Sequence, residues 1–405
     1  MKIRQGEIQK RFYLVTVDIL QGLSVFIMVM GHTGLWWDSE LDARWPNVPF
    51  LFWLLLTVAL VVPPGFLFWY AFNTTNSLLR KKTKNERLDS RYRLLKKTVI
   101  FFLIAEFGEL VAGLVVSPKH LLNYLLTWEL FHMFSFSTIF LLIVFEIAWM
   151  FETRGFWRHR QVSLVSLSFC LIFIISFFLI FHDYSSSQVM DLYVELNLRS
   201  ILERIFFEQG QSPIIPWLAF PSAGALLASY IDLPNEEKDL IIRRGLFSIT
   251  GGILVFFIGI LFMRIERYVS TAVWYPASSP LVFIAIGVHI LTTTGFILLL
   301  DLNTFYEHRE VNRLILPVVL LSKITLTVYL VHNLAFAIPS DIPFIRRLLP
   351  NVNIMMFAGF LYSLLFVLIA FIWQKRNFKY SIEWFLSRLQ KTKWQWWFKN
   401  PSSHK

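Results

Sequence analysis

A single cysteine, Cys170, in 405 residues excludes an internal disulfide framework, a cysteine-rich zinc site and an iron–sulfur cluster. Charge is scarce too. Asp, Glu, Lys and Arg make up 16% of the chain, against about 25% in a soluble domain, which is too little to cover a water-facing surface. The sequence lacks G-x-x-x-x-G-K-[ST], G-x-G-x-x-G, G-x-S-x-G and H-E-x-x-H, so nucleotide hydrolysis, dinucleotide binding, the hydrolase elbow and zinc proteolysis lose their usual signatures. The histidines are too scattered for a metal cage, and no metal is expected. No short internal repeat or shift in composition marks a second packed domain.

What is there is apolar. The chain is 56% hydrophobic and 17% aromatic, with 41 Phe and 15 Trp, and its mean hydropathy is +0.57. A helix needs about 20 apolar residues to cross a bilayer core. Ten stretches qualify: 14–36, 48–72, 98–116, 120–148, 161–181, 212–231, 245–263, 272–300, 314–338 and 352–373. The expected fold is an all-α polytopic membrane protein of about ten transmembrane helices. Residues 1–373 form the membrane domain and 374–405 a basic, aromatic cytoplasmic tail. The first stretch is too long for a signal peptide and lacks a following small-residue cleavage site.

Basic residues set the orientation. The net charge is +11, and in so apolar a chain the excess fits loops at a lipid surface rather than nucleic acid. An even number of spans puts both termini on one side. That side holds 29 Lys and Arg, nine of them in 80–97, against eight on the other. By the positive-inside rule both termini are cytoplasmic, in a multi-pass protein of the cytoplasmic membrane. Lys393–Lys399, rich in Trp, reads as an interfacial anchor. In the longest outer connection, 183–211, Glu195, Arg199 and Glu203 are spaced for a surface helix, either a solvated connector or a lid.

An ionisable group at membrane depth costs at least ~2.5–3.5 kcal/mol on insertion scales, so each needs a reason. Asp18 and His32 share the first span. Fourteen residues separate them, about 21 Å of helix, and they fall within about 40° of one face. They cannot touch. Asp18 sits near the cytoplasmic end, where an interfacial pairing with Lys10 or Arg11 is the plain alternative. His32 sits near the outer end. Glu129 and His132, three apart on the fourth span, share a face, and a carboxylate there would orient the imidazole; a helix-packing pair is the alternative. Glu106 and Glu109 share a face of the third span. Lys323 is placed near mid-membrane on the ninth span, where a buried carboxylate is its natural partner. His332 and Asn333 end that span. His289 reads as a packing residue.

The first span, Val17-Asp18-Ile19-Leu20-Gln21-Gly22 running to Gly31-His32, resembles the opening motif of the transmembrane acyltransferase superfamily, in the branch of heparan-α-glucosaminide N-acetyltransferase. Glu129–His132, Pro213–Leu218, Trp274–Ser278, Lys323–His332 and Tyr380–Trp384 are similar to later motifs of that branch, in the same order. Gln21 departs from the pattern, standing where the family has Arg. The resemblance implies transfer of an acyl group, normally acetyl, from cytoplasmic acyl-CoA to a sugar or other envelope acceptor on the far side. It implies that His32 is the catalytic histidine.

Under that reading His32 is a base or an acyl carrier, and Glu129 and His132 orient the acceptor or tune the base. Asp18, Lys323, His332, Asn333 and Trp217 are expected to bind donor and acceptor, with Lys323, Asn333 or Trp217 facing an oxyanion. The basic stretch 80–97 offers charge for the donor's phosphates. The same intramembrane charges suit a proton-coupled transporter or flippase, while a scaffold would leave them unexplained. Neither the acceptor nor a homo-oligomeric state follows from these residues.

Overall fold

The computed structural model describes residues 14–37, 50–81, 83–116, 130–152, 162–170, 172–173, 214–233, 237–265, 279–302, 309–340 and 352–391. Among them there are helices and turns and no strand. The helices are α1 (Val15–Trp37), α2 (Phe50–Leu79), α3 (Lys84–Val116), α4 (Leu130–Glu152), α5 (Ile214–Trp217) and α6 (Ala219–Ile231). They continue as α7 (Lys238–Ile265), α8 (Ser279–Phe296, extended by a π turn over Ile297–Asp301), α9 (Arg309–Ser322), α10 (Thr325–Ser340), α11 (Val352–Gln374) and α12 (Ile382–Lys391). Five are long and apolar enough to cross a membrane, and α9 with α10 makes a sixth when the two are taken as one bent span.

Their outer faces confirm the apolar reading. Leu246, Phe247, Leu254, Phe257 and Leu261 of α7 are exposed, as are Phe357, Leu361, Leu368 and Ile372 of α11. A helix apolar all round belongs in lipid or in a core, and these two lie at the periphery, with 22% of their span residues buried. By contrast α1 and α4 are central, with 61% and 67% buried. The core is aromatic: Phe68, Phe72, Phe131, Phe145 and Phe220 are fully buried. α1 packs on α2, α9, α10 and α11, α2 on α6, α3 on α4, and α7 on α8.

The end of the bundle where α1 begins is called the near end. The Asp301 carboxylate accepts from the α1 backbone amides of Val15 (2.9 Å) and Thr16 (3.3 Å), so α8 finishes there. The start of α3 meets the end of α4 through Arg91 and Glu146, with Nε to Oε1 2.5 Å and Nη2 to Oε2 2.7 Å. Trp149 is stacked under both Arg91 and Arg87.

Two elements differ from the hydropathy reading. The basic segment 80–97 is not a loop, because α3 runs through it from Lys84. A capping box starts it: Glu86 N–H donates to Thr83 Oγ1 (3.2 Å), and Thr83 N–H donates to Glu86 Oε2 (3.1 Å). The ninth stretch, 314–338, is not one helix but α9 and α10, bent by 62°. At the break Lys323 and Ile324 donate to Leu320 and Leu321, three residues back, at 3.1 Å each. Ser322 Oγ and Thr325 Oγ1 donate to the Val319 and Ser322 carbonyls, which the break leaves without helical partners. The first part of the region read as a tail is structured as well: α12 packs on α10 and α3.

Candidate functional site

α1 crosses α9 at Gly22, where a Cβ would fall on the Val318 carbonyl, 2.8 Å from its carbon. Only a residue without a side chain permits this approach. The approach carries the following break to Asp18, one turn below Gly22, and Lys323 Nζ donates to Asp18 Oδ2. Lys323 therefore works at the level of Asp18, and the carboxylate expected for it is this one. Asp18 is paired with Lys323; the alternative partners Lys10 and Arg11 lie outside the described residues.

From that tie α1 and α10 run together to the far half, where His32 Nδ1 meets His332 Nε2 at 2.7 Å. The rings lie 5.0 Å apart at 23°. Proton positions follow from the partners. His332 Nδ1 faces the carbonyls of Tyr329 (2.6 Å) and Val328 (3.0 Å), both acceptors, so it carries the hydrogen and donates. His332 Nε2 then holds a lone pair and accepts from His32 Nδ1–H. His32 Nε2 is left with its own lone pair, and among the described residues it has no hydrogen-bond partner. The chain carbonyl–His332–His32 thus ends in one unprotonated ring nitrogen.

A second polar pair lies beside it. His132 Nε2 is 3.2 Å from Glu106 Oε1, and the Phe102 ring meets the imidazole edge-on. Next to His132, Phe131 packs edge-to-face on Tyr329 at 5.1 Å, one turn before His332. Among the described residues a carboxylate of the preceding span, Glu106, faces His132; Glu129 lies outside the described residues, as do the side chains of Glu109 and Asn333. Trp217 stands apart: α5 packs on α6 and α4, and its indole meets Phe220 edge-on. His289 fills a box of Phe68, Trp69 and Phe220 above Gly65, in a packing role.

Sequence reasoning missed Glu383 as a structural group. From α12 its Oε1 accepts from Leu326 N–H (2.5 Å) and Thr327 N–H (3.2 Å), and its Oε2 accepts from Thr327 Oγ1 (2.7 Å). Thr327 Oγ1 in turn accepts from Ile382 N–H at 2.9 Å. Burial pushes the Glu383 carboxyl up from its usual range, and the hydrogen bonds from Thr327 and Leu326 pull it partly back. The sequence signals were the Tyr380–Trp384 motif, which contains Glu383 but gave it no role, and Ser381, whose Oγ caps α12 by accepting from Trp384 N–H at 3.0 Å.

Among the described residues no group of three or more His, Cys, Asp and Glu is placed to hold a metal. The sequence matches no protein-family model and no curated protein.

Proposed function

We propose that the protein is a membrane-embedded acyltransferase with ten spans and both termini cytoplasmic, moving an acyl group, normally acetyl, from cytoplasmic acyl-CoA to a sugar or other envelope acceptor. The observation that carries this reading is the lone pair left on His32 Nε2 by the imidazole chain. An acceptor hydroxyl or amine must lose a proton as it attacks a thioester carbonyl, and a neutral imidazole is suited to take it. In the proposed step the acceptor heteroatom bonds to the acyl carbon while its proton passes to His32 Nε2. Charge arising on His32 is shared through Nδ1–H with His332 and with the carbonyls beyond it. Collapse of the tetrahedral intermediate breaks the carbon–sulfur bond, and the thiolate leaves with that proton as the free thiol. Glu106 and His132, packed alongside through Phe131 and Tyr329, fit the orienting role that the i,i+3 rule assigned to Glu129 and His132.

His32→Ala tests this directly. Acyl transfer from acetyl-CoA to envelope glycans, followed by mass spectrometry, is lost while the protein still inserts and folds. Turnover near the wild-type rate would refute the assignment.

A proton-coupled transporter is favoured by two observations: a His132–Glu106 pair with a buried imidazole and a half-buried carboxylate, and an apolar helix pair broken at a lysine. Acetyl-CoA separates the readings. Thermal stabilisation of the purified protein by acetyl-CoA supports the enzyme, and indifference to it supports the transporter.

A further inference from the structure

The two helices that carry the imidazole pair are both held at their near ends by acids from far along the chain. Asp301 grips the start of α1, and Glu383 grips the start of α10. The grip of Glu383 is the more complete, since one carboxylate takes two backbone amides and a hydroxyl. It also lies directly against the relay. Leu326 and Thr327 are its backbone donors, and the next two residues, Val328 and Tyr329, supply the carbonyls that receive His332 Nδ1–H. Thr327 is five residues from His332, about 7.5 Å of helix.

The chain leading to Glu383 is bent to deliver it. Between α11 and α12, Asn377, Phe378 and Tyr380 all have positive φ, at 51°, 51° and 71°. Left-handed backbone is unfavourable for Phe and Tyr by about 1–2 kcal/mol per residue, so other contacts must hold the reversal. Trp373 Nε1 donates to the Lys379 carbonyl across it at 2.7 Å, and beyond it α12 docks on α10 and α3.

We propose that Glu383 is a positioning residue for the imidazole pair: by fixing the first turn of α10 it holds His332 where it accepts from His32 Nδ1–H, and so keeps the lone pair on His32 Nε2. The inference rests on the hydrogen-bond chain that supports the proposed function, but it does not require that the reaction be acyl transfer. Glutamine is the conservative variant. Its Oε1 accepts from the same two amides, and its amide donates to Thr327 Oγ1. Alanine leaves three donors unmatched.

The test is nitrogen NMR of the full-length protein with ring-15N histidine, in detergent. The His32 resonances are assigned by their loss in His32→Asn. Wild type and Glu383→Gln are expected to show His32 with hydrogen on Nδ1 and a bare Nε2. In Glu383→Ala the Nδ1–H form falls below half, replaced by the Nε2–H form that a free imidazole prefers in water. The His289 resonances serve as the fold control and stay unchanged. Thr327→Val, which removes the hydroxyl between Glu383 and Ile382, gives an intermediate shift and keeps the test open should the alanine variant fail to fold. An unaltered His32 tautomer in a folded Glu383→Ala protein, or in Thr327→Val if the alanine variant does not fold, overturns the proposal. A wild-type His32 that already carries hydrogen on Nε2 overturns the relay itself and the catalytic reading with it. Loss of acyl transfer in all variants with the tautomers as expected would count against the reaction class and leave the positioning role supported.

Discussion

Asp18 and Lys323 tie α1 to the break between α9 and α10, and the strength of that tie can be measured by a double-mutant cycle. Two unit charges about 3 Å apart at an effective dielectric of about 20 attract by about 5.5 kcal/mol before desolvation is counted. The Asp18 side chain is 13% exposed and that of Lys323 35%, so both have given up hydration, Asp18 more than Lys323. Breaking a fully buried pair costs ~3–5 kcal/mol, and the access of solvent to Lys323 brings the expected cost to about 1.5–3 kcal/mol for either Asp18→Asn or Lys323→Met. The double variant leaves no orphaned charge. It is expected to fall short of the sum of the singles by about 1–3 kcal/mol. A reversible unfolding titration in mixed micelles, applied to the full-length protein, measures all three. Additivity within about 0.5 kcal/mol would show that the two side chains are neighbours without energetic coupling, and would remove the physical reason for a lysine at the break.

Gly22→Ala forces α9 away from α1, since the new methyl meets backbone at Val318; it destabilises by about 1–3 kcal/mol in the same titration and shrinks the Asp18–Lys323 coupling in a repeat of the cycle. Because folding raises the Glu383 carboxyl above its ordinary 4.5, the folded state binds that proton more tightly than the unfolded one. Its contribution is complete below pH 4.5 and declines as the pH rises through the raised folded value. Melting curves should therefore find Glu383→Gln gaining on wild type between pH 4.5 and pH 8, and a constant difference would contradict the burial of this carboxyl. Replacing Lys81, Lys82 and Lys84 by Gln is expected to weaken acetyl-CoA binding by about tenfold at low salt, through the loss of three positive charges worth about half a kcal/mol each; calorimetry with unchanged affinity would remove 80–97 from the donor site.

Span ends were legible where an apolar run stops at polar residues. The first stretch, 14–36, became Val15–Trp37, and the last, 352–373, became Val352–Gln374. Counting residues from a span end also put His32 and His332 toward the outer ends of their spans, and the two rings meet. Hydropathy could not say which helices are neighbours. That choice is made by side-chain shape, as at Gly22 against Val318. For the same reason the i,i+3 rule offered Glu129, which lies outside the described residues, to His132, but gave no sign that Glu106 of another helix reaches that imidazole. The start of α3 was legible in Thr83-Lys84-Asn85-Glu86 but was hidden by the charge around it. The break at Lys323 had only weak local markers, the hydroxyls of Ser322 and Thr325 inside an otherwise apolar run, and its freed amides are met by Glu383, 57 residues on. A cap supplied from such a distance leaves no pattern in the helix that it caps.

The order in which the chain is made sets when this centre can exist. Asp301 follows Val15 by 286 residues, and Glu383 follows Leu326 by 57. At a synthesis rate of about 5–20 residues per second, α1 waits roughly 15–60 s for the acid that closes its first turn, and α10 waits several seconds more for its own. The two waits fall one after the other: Asp301 is made before α10 begins, so α1 can be capped first, and α10 then keeps an uncapped near end until Glu383 emerges. The imidazole pair is therefore among the last parts of the protein to assemble, and a chain that stops short of α12 is expected to insert with its spans in place while its reactive nitrogen is still unset.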